Sequence, residues 1–96
     1  MNNLTEEQEK KIKNMGALGY QPSIIASIMG FNKNEVEKAM KDVNSVFYEL
    51  YEAGKNQSMY LLDLKLFEMA QSGDIKALEK LEQRKKQAKI EESRHR

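Results

Sequence analysis

The 96-residue chain has no cysteine, one proline, one histidine and five glycines. Without cysteine there is no disulfide framework, no thiolate nucleophile and no zinc–thiolate centre. The single histidine, His95, excludes a histidine-based triad and a multi-histidine metal site. No stretch approaches the ~18 apolar residues of a membrane span, and the opening MNNLTEEQEKKIK has no apolar core behind a basic start. The expectation is a cytoplasmic protein that neither enters nor crosses a membrane. Asn3-Leu4-Thr5 and Asn56-Gln57-Ser58 have the form of glycosylation acceptors, which carries no meaning without export. Gly54-Lys55 lacks the upstream glycine and the following Ser or Thr of a phosphate loop. Acidic pairs such as Glu6/Glu7, Glu35/Glu37 and Glu91/Glu92 fall on helical segments and read as solvated faces. No enzymatic activity, catalytic residue, metal or cofactor is therefore expected.

What the chain does have is charge, 16 Lys+Arg against 15 Asp+Glu, for a formal total of +1. The total conceals a division. Residues 1–41 hold six Lys and five Glu, residues 42–72 two Lys and five acids, and residues 73–96 eight Lys/Arg and five acids. A weakly basic segment, an acidic one and a basic one follow in order. A chain of this length buries only ~60–65 % of its unfolded surface, so it suits one small domain, or one with a helical extension, and gains from a partner subunit.

Glu, Lys, Leu, Ala, Met and Gln dominate, and no segment alternates with period two, so the fold is expected to be all-α. Thr5 and Gln8 form a capping box for a first helix from about Glu6 to Leu18, striped by Ile12, Met15 and Leu18 and weakened by Gly16 and Gly19. Pro22 suits the first position of a second helix and Gly30 its end. Asn32 can cap a third helix, with Glu35 reaching back and Val36, Ala39 and Met40 on one side. From Asp42 to about Ser72 the stripe Val43, Val46, Phe47, Leu50, Tyr51 continues through Gly54 and Ser58 to Leu61, which favours one helix of roughly 45 Å over two. Gly73 then ends that helix and Asp74 caps another, packed by Ile75, Leu78 and Leu81 before a polar end expected to fray.

Two short helices about a tight corner meet the requirements of a helix-turn-helix: a small residue at the crossing, Ala26, a glycine at the turn, Gly30, and an apolar lock of Ile25, Met29, Phe31, Val36 and Ala39. A plain three-helix bundle would use the same residues without touching nucleic acid. If the third helix enters a major groove, Lys33, Asn34, Glu37, Lys38 and Lys41 point outward; Asn34 can pair with adenine and the lysines with guanine edges or phosphates. Tyr20, Gln21 and Ser23, at the start of the second helix, can donate to phosphate. Glu35 and Glu37 oppose this. One copy should therefore bind double-stranded DNA weakly, and useful binding requires several copies.

Between Met59 and Ala70 apolar residues spread almost all round the helix, interrupted only by Asp63, Lys65 and Glu68. Such a helix needs cover on more than one side, and the short returning helix covers one. An oligomer built on this pair of helices is expected, through Phe47, Leu50, Tyr51, Gly54, Ser58, Leu61, Leu62, Leu66, Phe67 and Met69, with Gly54 and Ser58 permitting close helix approach. Folding of the pair back over the N-terminal bundle is the alternative. Tyr48, Tyr51 and Phe47 read as packing groups rather than base-stacking ones.

The segments GYQPSIIASIMGF, FYELYEAGK and LFEMAQSGDIKALEKLEQRKK, in that order, resemble the small subunit of tailed-phage and prophage terminases over roughly residues 5–86. The run from Leu66 to Arg84, an Ala-x-Ser-Gly-Asp turn followed by an Ala-Leu helix start, carries the resemblance furthest. It implies a helix-turn-helix DNA-binding domain over 1–41 and a long-helix/short-helix antiparallel hairpin for oligomerisation over 42–90, to which the polar composition of the end adds a flexible tail over 91–96. It also implies a ring that binds viral DNA at the packaging site and regulates the large terminase subunit, which owns the ATPase and nuclease. Members of that family usually continue into a segment that contacts the large subunit or portal. Here the basic run Arg84, Lys85, Lys86 and Lys89 is the candidate for that contact, although as a solvated helix face it needs no partner. A dimeric helix-turn-helix transcription regulator and a helical adaptor that binds no DNA are the competing readings.

Overall fold

A computed structural model describes residues 3–94, with side chains to residue 89. The protein is all-α. Five helices, α1 (Glu6–Leu18), α2 (Pro22–Met29), α3 (Lys33–Lys41), α4 (Val46–Gln71) and α5 (Ile75–Arg94), account for its regular structure, with no strand among the described residues. They form two compact units, Met1–Met59 and Tyr60–Arg96, and the division falls inside α4.

Each helix start has a local chemical cause. Thr5 Oγ1 accepts from the Gln8 amide at 3.1 Å while Gln8 Oε1 accepts from the Thr5 amide at 2.9 Å, a complete capping box. Asn32 Oδ1 accepts from the amides of Asn34 and Glu35 at 2.9 and 3.2 Å, but the Glu35 side chain does not reach back. Pro22 opens α2 where its missing N–H is no loss. Asp74 Oδ1 accepts from the Ala77 amide at 3.0 Å at the start of α5.

The long helix begins four residues after Asp42, its expected start. Asp42 Oδ1 accepts from the Asn44 amide at 3.0 Å, and Ser45 Oγ accepts from the Tyr48 amide at 3.0 Å while donating to the Ala39 carbonyl at 2.7 Å. These short polar side chains outcompete helix at 42–45 and restart it at Val46. Val43, counted in the stripe, stands 61 % exposed. From Val46 onward α4 runs unbroken through Gly54 to Gln71, roughly 39 Å at 1.5 Å per residue.

In the first unit Ile12, Met15, Ile25, Ala26, Val36 and Phe47 form one buried core drawn from all four of its helices. Leu4, Tyr20, Met29, Phe31, Ala39, Met40, Leu50 and Tyr51 pack around it. The crossing of α1 and α4 is the tightest part. A β-carbon on Gly16 would overlap the Tyr51 carbonyl oxygen, and one on Gly54 would overlap the Lys13 carbonyl oxygen, so each helix supplies a glycine where the other's backbone arrives. Tyr51 Oη donates to the Tyr20 carbonyl at 2.9 Å across the same unit. Gly16, which as a sequence only weakens α1, is required by this crossing.

The second unit is thinner. Leu66, Ala77 and Leu81 form its buried cluster, with Ala70 against them, and Arg84 Nε donates to Asp63 Oδ1 between α4 and α5. Ile75 and Leu78 do not pack as the sequence suggests, Ile75 being 71 % exposed. Ala77 and Leu81, four residues apart, own the face toward α4, and Ile75 and Leu78 lie off it. α5 also continues to Arg94 where fraying is expected, because Glu, Lys, Arg, Gln and Ala sustain helix beyond Leu81. Of the segment expected to be a flexible tail, residues 95–96 lie outside the described ones.

Candidate nucleic-acid interface and assembly surface

α2 and α3 meet about the three-residue corner Gly30-Phe31-Asn32. Gly30 adopts φ +72°, a left-handed conformation that costs glycine nothing, and the Phe31 amide donates to the Ala26 carbonyl at 3.0 Å to close the turn. Ile25 and Val36 have no exposure, and Ala26 is buried at the crossing. Burial of each large apolar side chain contributes about 1.5–3 kcal/mol, which holds α3 against α2 by packing alone.

That packing decides what α3 presents. Val36 points inward with Ala39 and Met40 beside it, and Asn34, Lys38 and Lys41 are exposed on the far side. At 100° per residue Asn34, Glu37, Lys38 and Lys41 are mutual neighbours on this outward face, each three or four positions from two others. Glu37 is half-buried, and its Oε1 lies 3.9 Å from Lys33 Nζ. Lys33 opens the helix, the end at which the dipole disfavours a cation. At the start of α2, Gln21 and Ser23 are exposed and Tyr20 is half-buried with its carbonyl already accepting from Tyr51 Oη. Among the described residues Lys38 and Lys41 have no ion-pair partner.

The residues expected to assemble subunits divide between the two units. Phe47, Leu50 and Tyr51 belong to the core of the first unit, and Gly54 is buried against the α1 backbone. Leu66 is buried within the second unit. These five are thus engaged inside the chain, because α1 covers the first half of the α4 stripe and α5 covers Leu66. Ser58 is half-buried. Leu61, Leu62, Phe67 and Met69 remain exposed, Phe67 at 48 %, and Tyr60 and Leu64, absent from the expected set, are exposed with them. By helical phase Tyr60, Leu64 and Phe67 lie on one side of α4 and Leu62 and Met69 on the roughly opposite side, with Leu61 between the two groups.

In the basic run, Lys85, Lys86 and Lys89 are exposed, whereas Arg84 is half-buried by its bond to Asp63. Asp63, Leu81, Arg84, Lys85 and Ala88 line a shallow groove there. The Asp63–Arg84 pair has no signal in the sequence, since 21 positions separate its members. Among the described residues no three His, Cys, Asp or Glu side chains are placed to hold a metal ion, and no helix is long and apolar enough to cross a membrane. Compared with known proteins, the chain matches no family model, no curated protein and no solved structure.

Proposed function

We propose that the chain is a non-enzymatic DNA-recognition subunit of a packaging machine, akin to a small terminase subunit. α2 and α3 act as a helix-turn-helix that places Asn34, Lys38 and Lys41 in a major groove, with Lys33, Gln21 and Ser23 serving phosphates. α4 and α5 act as an antiparallel hairpin that joins copies into a ring, and the ring regulates a large subunit carrying the ATPase and nuclease. The observation that carries this reading is the pairing of a fully locked α2–α3 corner with an α4 half left apolar on two opposite sides.

Two different faces on opposite sides of one helix favour head-to-tail contacts over a single self-complementary patch, and such contacts give a ring when the rotation from copy to copy closes. The weakness of one recognition helix bearing acids beside its lysines gives the ring a purpose, because linked copies bind at high effective concentration. Lys85, Lys86 and Lys89 remain the surface offered to the motor subunit.

Light scattering at tens of micromolar, with duplex retention measured beside it, tests both halves. A mass of many subunits supports the ring; a mass that stops at one or two removes it and leaves the dimeric regulator. Replacing Lys33, Lys38 and Lys41 together with Glu is expected to abolish retention and its salt dependence. Unchanged retention would leave the helical adaptor as the reading.

A further inference from the structure

Glu37 is out of place on a surface meant for a polyanion. It shares the outward face of α3 with Asn34, Lys38 and Lys41, and its carboxylate repels every phosphate those residues approach. Half-buried and paired with Lys33 at i,i+4, it adds little to the stability of α3. The helix start is already satisfied by Asn32 and by Glu35 in the first turn, and the Lys33–Glu37 contact is long, at 3.9 Å, and places the cation at the end the dipole disfavours.

We propose that Glu37 is a specificity-determining residue of the reading face, selecting a cytosine in the major groove. The inference rests on the DNA-binding reading given above. A carboxylate accepts hydrogen bonds and donates none, so it matches cytosine, the one base whose own major-groove edge offers a donor, the N4 amino group, and no acceptor. Guanine presents two acceptors, N7 and O6, and is repelled. Adenine offers its N6 amino group next to the N7 acceptor and is matched in part, and thymine offers only an acceptor and a methyl group. Lys33 holds Glu37 in the unbound chain through a pair weak enough to open, and on DNA the lysine turns to phosphate while the carboxylate turns to the base.

The arrangement lowers the affinity of one copy for any duplex and raises its discrimination. In a ring the first effect is offset by multivalent contact, and the second is repeated at each engaged copy. An acid on a recognition helix is therefore better tolerated in an assembly than in a monomeric binder.

The test is selection from a random duplex library by the full chain, comparing the wild type, Glu37→Gln and, as a control for loss of charge near the helix start, Glu35→Gln. The wild type is expected to enrich a motif with one C·G pair preferred roughly fivefold or more. Glu37→Gln loses the preference at that pair, keeps the others, and binds unrelated duplexes more tightly; Glu35→Gln keeps the cytosine. Circular dichroism confirms that each variant is folded. Should Glu37→Gln bind all duplexes more tightly yet retain the wild-type motif, Glu37 is a repulsive charge only and the inference is overturned. A wild type that enriches no sequence while still retaining duplex also overturns it, and one that retains no duplex fails the DNA-binding reading itself.

Discussion

In the first unit Phe47, Ile12, Ile25 and Val36 are wholly enclosed, and four helices contribute to one core. In the second, Leu66, Ala77 and Leu81 are the buried residues, while Tyr60, Leu61, Leu62, Leu64, Phe67, Met69, Ile75 and Leu78 face outward. The two units draw on similar residue types and differ in how many neighbours the chain provides. Four helices can surround an apolar side chain, whereas a helix and its return can cover one side only. The comparison teaches that an apolar stripe becomes a core or stays exposed according to the helices available to cover it. α4 carries both outcomes along one continuous helix.

The contrast can be broken most strongly at its enclosed end. Phe47→Ala is expected to destabilise the first unit by about 3–5 kcal/mol, read as a fall in the urea midpoint of helical signal. A loss below about 1 kcal/mol would mean the four-helix core is loosely packed. Gly54→Ala comes next and tests the crossing by its sign. In an open helix the change would stabilise by roughly 1 kcal/mol, but against the Lys13 carbonyl it is expected to destabilise by about 1–3 kcal/mol. A raised midpoint would show that the glycine is not needed for the approach of α1.

At the exposed end, Phe67→Ser should leave the stability of the first unit unchanged and weaken self-association by about tenfold, given ~1.5–3 kcal/mol for a buried large apolar side chain. Sedimentation over a concentration series reads this directly, and an unaltered mass distribution would remove Phe67 from the association surface. The smallest effect belongs to the cap. Asn32→Ala should cost about 1 kcal/mol by releasing the amides of Asn34 and Glu35. If amide exchange at those two positions is no faster in the variant, the cap is not what fixes the start of α3.

Local chemistry was the most legible part of the fold. Thr5 with Gln8, Pro22, Gly30, Asn32 and Asp74 mark where helices start and stop, because caps and turns act over three or four residues and leave their signature in adjacent positions. The corner residues Ile25, Ala26, Met29, Phe31, Val36 and Ala39 were legible for the same reason. Contacts between distant segments were not. Nothing in the sequence near Gly54 indicates that its neighbour is Lys13 rather than another subunit, and nothing near Ile75 and Leu78 says that Ala77 and Leu81 take the face toward α4. Periodicity gives the direction of a side chain around its own helix and is silent on which element lies in that direction. The same limit applied to the candidate site, where the outward residues of α3 follow from the inward position of Val36, but Arg84 looked free until its partner 21 positions away was placed beside it.

The continuity of α4 across the boundary between the units also sets an order of events during synthesis. Everything the first core requires lies within the first 59 residues, including the opening turns of α4 held by Phe47, Leu50 and Tyr51. Those turns can form while the apolar residues from Tyr60 onward, already joined to the chain, still lie inside the ribosomal tunnel. The costly step of starting a helix is then already taken, and the emerging segment lengthens an existing one residue by residue. The exposed apolar part of α4 then leaves the ribosome as the extension of an existing helix, which shortens the time it passes as an unstructured apolar strand open to misassembly.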